Sequence, residues 1–554
     1  MSPQPRVVHS SRLRGSIRAL LAIGIFVLLA VVHTWPLASD PARLSRIDNA
    51  DTALNAWIVS WIAHQLPRDP LALFDANIFH PERGTLAYSE PLIVPAVIGA
   101  PLRWAGASPI LTYNLLLLAG FAFTALAMSH LVTVWTGDWI AGLLAGSLLA
   151  FNAHTLTRFP HLQAHHAQWL PLTCLALDRL LNMARWRDAV WLAGFIILLA
   201  LTSGYLAVFA VIVVAVSLAV RPGAWARPHT RSVLARLAVS ALIVLTMVGV
   251  VLAPYRTAFG DDERARPLGE AAFYAAHGVS YLSTISRFHY ATWSQPFYES
   301  SSESLFPGLL PLALLMVALV PPGRTWRDDR RRMLVGMGIA GVVLSFGPAT
   351  PVYRWLYALF PPMQGIRAAA RFGYLALFAV AALAGFGLAQ LRTKWAGQRW
   401  MTATAVSLVV LANLETFSAP RSFVPFEGFS PIYGAIARDP LPGAVVEFPV
   451  YLRENIHLNG PFVLASTVHW RPLINGYSGF TPESYARLAI ELRTFPDPHT
   501  IRLLTDLSVS HVVVHTRAYL PEDLAILLPA LAARPELTFA MDDDRGSRLY
   551  RLER

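Results

Sequence analysis

The chain has 554 residues, 55% of them hydrophobic and 14% charged, with a formal net charge of +11. Soluble domains carry about 25% charged residues, so this composition excludes a wholly soluble protein, and a mean hydropathy of +0.46 places much of the chain in lipid. The single cysteine, Cys174, excludes an intrachain disulfide framework, and the basic excess reads as cytoplasmic loop arginine rather than a nucleic-acid surface.

A crossing helix needs roughly 20 mostly apolar residues. The first such run, 17–35, follows Arg6, Arg12, Arg14 and Arg18, which predicts a cytoplasmic N-terminus. A cleaved signal peptide is the rival, opposed by the long apolar run and the lack of an A-x-A site. Ten further runs follow at 109–135, 139–155, 168–184, 188–204, 206–220, 237–255, 304–321, 333–349, 372–390 and 400–417. Alternating these crossings puts every other basic cluster on the N-terminal side. Those clusters are Arg185 and Arg187; Arg221, Arg227, Arg231 and Arg236; Arg324, Arg327, Arg330, Arg331 and Arg332; and Arg392, Lys394 and Arg399. The apolar stretch 91–105 is short and holds Pro91, Pro95 and Pro101, so it reads as an interfacial or re-entrant helix.

Large outer segments then remain at 36–108, 256–303 and 418–554, with short outer loops at 156–167 and 350–371. In the first loop, Leu54, Trp57, Ile58, Trp61 and Ile62 follow i, i+3, i+4, i+7, i+8 spacing. This predicts a helix lying flat on the outer leaflet, its tryptophans at headgroup depth and Asn55 and His64 pointing elsewhere. The tail predicts a soluble α/β domain, with strands at 443–450 and 511–515, helices at 482–495, 499–507 and 521–533, and a terminal hairpin around Asp542-Asp543-Asp544-Arg545-Gly546.

Three sites carry chemistry. The acidic turn Asp48-Asn49-Ala50-Asp51 precedes the first-loop helix at the outer boundary, where a carboxylate can take a proton from an acceptor hydroxyl. An acid there also reads as a helix cap. The loop Arg158–Trp169 holds His161, Gln163, His165 and His166, a polar group able to contact substrate. His161 and His165 would share a face if helical, yet no complete ligand set for a divalent metal is fixed, so cofactors stay unknown. Arg367 and Arg371 stand at the outer start of a spanning helix, suited to a phosphate and equally to bulk anionic headgroups. In the second large loop, Tyr281, Arg287, His289, Tyr290 and Glu299 are further polar candidates. In the tail, Trp470 and Tyr477 could stack on sugar rings while Arg471 and Asn475 hydrogen-bond hydroxyls; ordinary packing is the alternative. No Walker loop, G-x-G-x-x-G, CxxC or H-E-x-x-H motif appears.

In this order the features resemble the GT-C fold glycosyltransferases, a superfamily that includes protein mannosyltransferases and bacterial lipid A aminoarabinose transferases. The resemblance runs from the N-terminal arginines and first helix through an outer loop with an early acid, a flat helix, and an apolar segment ending at Gly106-Ala107-Ser108-Pro109. It ends with the hairpin 109–155 and an outer polar loop, covering about residues 15–255. It implies a polytopic α-helical membrane protein of about eleven transmembrane helices, residues 1–417, with an appended periplasmic α/β domain, residues 418–554. It also implies a polyprenyl-phosphate-linked sugar donor, a glycan, lipid or protein acceptor on the outer face of a bacterial inner membrane, and no nucleic acid. The family's catalytic first-loop acid maps to Asp51, with Asp48 second. Where many members carry Asp or Glu in the next outer loop, this chain has His161, His165 and His166. A flippase for a lipid-linked glycan is the alternative, although Asp178, Glu415 and His130 sit near helix ends rather than at the midplane. A non-catalytic envelope scaffold is the third reading.

Overall fold

The computed structural model describes residues 6–225, 230–258, 266–301, 303–320, 323 and 327–553, and side chains from residue 15 onward except Ala224. The predicted basic positions Arg6, Arg12 and Arg14 (as side chains), Arg227 and Arg324 lie outside the described residues. Two compact units divide the chain.

The first unit comprises Met1–Asp40, Leu115–Val251 and Gly260–Ser422. A helix occupies each of the eleven apolar runs. Four stretches are long and apolar enough to cross a membrane: Gly15–His33, Pro109–Thr136, Thr230–Val251 and Ala369–Lys394. Others are shorter, such as Trp139–Ala150 and Leu309–Leu319. The Gly373–Lys394 helix is buried from Gly373 to Phe378 and through most of its length to Ala389. Close approach to its neighbours needs small residues, as helix pairs in lipid do. A Cβ added at Gly387 would stand 2.0 Å from the Leu314 carbonyl oxygen.

At one end of this unit, Asp178 receives Arg221 at 2.9 Å and Arg330 at 3.0 Å, while Asn182 accepts from Arg221 at 3.1 Å. Arg392, in the last turn of the Gly373–Lys394 helix, pairs with Asp138. Arg371 lies just before that helix begins, so about 30 Å of helix separates the two arginines along the axis.

The second unit comprises Pro41–Asn114, Leu252–Phe259 and Phe423–Arg554, so the tail packs with the first outer loop. Its sheet has β1 (Ala444–Phe448), β2 (Val509–His515), β3 (Leu537–Asp542) and β4 (Ser547–Leu552), in the order β1-β2-β4-β3. β1 and β2 are parallel, with Val446 opposite Val512; β4 is antiparallel to both β2 and β3. Every residue of β1 is buried, as a strand covered on both faces requires.

The Ala50–Gln65 helix corrects one expectation. It is not a flat surface helix: Thr52 through Ala63 are all buried. The Trp57 indole donates to Asn77 Oδ1 at 3.2 Å and the Trp61 indole to the Leu73 carbonyl at 2.8 Å, so both are covered by protein. The Ile93–Trp104 and Gly460–Ala465 helices pack on this helix, Gly460 against Ala50. The 91–105 stretch is that Ile93–Trp104 helix, with the Trp104 indole bonded to the Ala63 carbonyl at 2.8 Å.

Candidate functional site

In the second unit, Asp51 occupies the first turn of the Ala50–Gln65 helix. The cap is Asn49, whose side chain accepts from the Asp51 N–H at 2.9 Å. Neither Asp48 nor Asp51 is needed as the cap. Asp48 is exposed and held by Arg46 at 2.9 and 3.0 Å. The half-buried Asp51 carboxylate sits at the positive end of a helix and accepts the Tyr477 hydroxyl at 2.7 Å. Tyr113, fully buried, lies within electrostatic reach of Asp51 and Arg46.

The four tail residues do not act as one sugar subsite. Trp470, in a left-handed conformation at φ +56°, stacks on His64 with centroids 4.1 Å apart. Tyr477 meets Asp51 thirteen residues earlier on the same helix, about 20 Å away along its axis. Asn475 is fully buried: its oxygen accepts the Glu447 N–H at 2.7 Å and its amide donates to the Glu447 carbonyl at 2.8 Å. Arg471 donates to the carbonyls of Ile436, Asp439 and Leu441. These last two are corrected from sugar contacts to backbone clasps, because Glu447 of β1 engages the Asn475 amide and the carbonyls of 436–441 engage the Arg471 guanidinium.

In the first unit, the histidine loop is interior rather than an open polar loop. Gln163, His165 and His166 are buried and His161 partly so. His161 precedes the short Leu162–His165 turn, so it and His165 do not present paired ligands from one helical face. His165 Nε2 donates to the Arg158 carbonyl at 3.0 Å and His166 Nε2 to the Leu116 carbonyl at 3.1 Å, each contact assigning the tautomer. Burial depresses both imidazoles, His165 to about 3 and His166 to about 4. Among the described residues, no group of three His, Cys, Asp or Glu side chains gathers to hold a metal ion.

Beside them lies a cluster that spacing did not reveal. Glu303, nearly buried, pairs with Arg158 and lies 3.2 Å from His154 Nδ1. Burial pulls the Glu303 carboxyl upward, yet Arg158 and His154 together outweigh it and hold it well below the usual carboxylate range. Burial, with Arg371 and Arg158 adding to it, pushes His161 well down. The loop is therefore uncharged at its imidazoles and charged at its arginines. Arg371 lies over the Tyr205 ring at 4.4 Å and Arg367 over the Tyr274 ring at 4.8 Å, with Glu270 3.7 Å from Arg367. The Tyr205 hydroxyl accepts the N–H groups of Arg367 and Ala368 at 3.1 and 2.8 Å, which fixes the backbone that carries the pair. In the second large loop, His289 meets Glu415 at 2.9 Å and the Trp293 indole at 3.1 Å, and the Tyr281 hydroxyl bonds Ser345, so these are packing contacts.

The fold is similar to those of solved glycosyltransferases. The mycobacterial arabinofuranosyltransferase AftD matches with a TM-score of 0.59 at 14% identity, over 97% of this chain and 41% of that one. This chain thus spans about two fifths of AftD. The ArnT protein of Cupriavidus metallidurans bound to undecaprenyl phosphate matches at 0.49 and 12% identity, over 98% of both chains. The oligosaccharyltransferase AglB of Archaeoglobus fulgidus, in complex with an inhibitory peptide and a dolichol-phosphate, matches at 0.46 and 14% identity, over 96% of this chain and 74% of that one. No protein-family model matches the chain, and no curated protein does.

Proposed function

We propose that this protein is an integral membrane glycosyltransferase that moves a sugar from a polyprenyl-phosphate-linked donor to an acceptor hydroxyl on a glycan, lipid or protein. Asp51 is the general base. It takes the acceptor proton as the acceptor oxygen bonds to the anomeric carbon, and the bond from that carbon to the phosphate oxygen breaks. The lipid phosphate leaves with the bonding electron pair; Arg367 and Arg371 of the first unit are proposed separately as a phosphate-binding pair. The AftD-like fold supports the reaction class, and the observation that carries the base is an Asp51 carboxylate held at a helix N-terminus by a tyrosine hydroxyl. The donor set for a divalent metal is not assembled among the described residues, so no step runs through one. The arginines gathered around Asp178 and Asp138 support a cytoplasmic face at that end, with residues 418–554 outside in a bacterial inner membrane.

The test is purified full-length protein in lipid nanodiscs, given a panel of short-chain polyprenyl-phosphate-linked pentoses and hexoses with membrane lipid, glycan and peptide acceptors. One donor should yield free polyprenyl phosphate and a glycosylated acceptor, and Asp51→Asn should slow this by roughly 10²–10⁴-fold at unchanged protein level. An Asp51→Asn protein as fast as the native one removes the assignment.

A further inference from the structure

We infer that Tyr477 is the positioning residue of the base, so that the C-terminal segment builds part of the acceptor-activating site. The inference rests on Asp51 being the base proposed above. Its geometry is independent of that proposal.

The Tyr477 hydroxyl donates to Asp51 Oδ1 at 2.7 Å, which fixes one oxygen and with it the plane of the carboxyl group. A base held by its helix alone rotates about its side-chain torsions, and each rotation moves the accepting oxygen away from the line of proton transfer. The tyrosine is itself held from three sides. Backbone bonds tie its approach segment to the first loop: Leu473 N–H to the Asn77 carbonyl at 2.7 Å, His80 N–H to the Leu473 carbonyl at 2.9 Å and Phe79 N–H to the Asn475 carbonyl at 3.3 Å. Gly476, the preceding residue, lies so close to the Phe79 ring that an added Cβ would stand 2.4 Å from it. The Gly476 carbonyl accepts the buried Asn459 amide at 3.0 Å. A second close approach, Gly460 against Ala50, presses the tail onto the same first turn, where an added Cβ would stand 3.1 Å from the Ala50 Cβ. Two glycines and a side-chain amide therefore place one phenol on one carboxylate. A stacking platform for a sugar would need none of them.

The experiment uses Tyr477→Phe, which keeps the ring and removes only the hydroxyl. With the polyprenyl-phosphate sugar that the panel identifies, kcat should fall about 10- to 100-fold while the donor KM stays within about twofold. A readout that needs no substrate accompanies it: carbodiimide and glycine ethyl ester labelling of the full-length protein, read at Asp51 by peptide mass spectrometry, with the exposed Asp69 as control. Labelling of Asp51 should change severalfold in Tyr477→Phe and that of Asp69 should not. Native kcat together with native Asp51 labelling overturns the inference while leaving the base in place. A raised donor KM at native kcat also overturns it, because Tyr477 would then bind donor. Asp51→Asn, run alongside, reports failure of the base separately.

Discussion

The two ends of the helical unit place arginine in different settings. Around Asp178, Arg221 is fully buried and its charge is met by carboxylates: Asp178 at 2.9 Å and Asp329 at 3.4 Å. Arg330 shares Asp178, and Arg332 pairs with Asp329. Around Glu303, three arginines (158, 367 and 371) stand with two acids, Glu303 and Glu270, and two of the three lie on tyrosine faces. The nearby histidines are held neutral, so the positive excess belongs to guanidinium alone. Carboxylate-paired arginine ties helices together. Arg371 and Arg367 stack on tyrosine rings, and Arg367 also lies near Glu270.

Removing one partner at each end separates these roles. Asp178→Ala takes the nearer of two carboxylates from the buried Arg221 guanidinium and the carboxylate that Arg330 shares, and should cost up to about 3–5 kcal/mol of stability, read as a lowered thermal midpoint in detergent. The next largest effect is acid loss of stability at the other end. His165 and His166 titrate near 3 and 4 in the folded protein against 6.5 unfolded, so they stay neutral when folded while the unfolded chain gains protons below 6.5. Their contribution is complete above pH 6.5 and falls as pH drops toward 3–4. By pH 5 this amounts to about 2 kcal/mol for each histidine, which a thermal midpoint measured from pH 7.5 to 5 detects and which His165→Gln should reduce. Arg371→Ala should raise the donor KM about 10- to 100-fold and shift stability by less than about 1 kcal/mol, with Arg371→Lys recovering only part of the affinity. An Arg371→Ala protein that unfolds as readily as Asp178→Ala would erase the contrast between the ends. The smallest effect belongs to Asp48→Asn: its ion pair with Arg46 is exposed, so transfer and stability should both stay within about twofold of native.

Apolar runs revealed where the helices lie, because each long stretch of Leu, Val and Ala must find a non-aqueous neighbour. The β-branched runs and the polar hairpin tip did the same for the tail, where β1, β2, β3 and β4 fall on the segments read from sequence. What cover the Ala50–Gln65 helix receives was not legible. Its stripe of large residues was visible, but the Gly460–Ala465 and Ile93–Trp104 helices that pack on it are announced by no local pattern. Trp470 and Tyr477 look like one aromatic cluster in sequence and lie at opposite ends of a helix in space. Glu303 was missed for the same reason: a lone acid among serines has no periodicity, and its partner Arg158 is 145 residues away.

The ladder joining residues 77–80 to 471–475 also sets an order of assembly. The Ala50–Gln65 helix is synthesised early, yet the Asn77 amide waits for a carbonyl 394 residues downstream and Asp51 for a hydroxyl 426 residues downstream. During synthesis the helical segments between them enter the bilayer first, while the first outer loop stands uncovered. Asp51 thus gains the Tyr477 hydroxyl only when the C-terminal segment docks on the first outer loop.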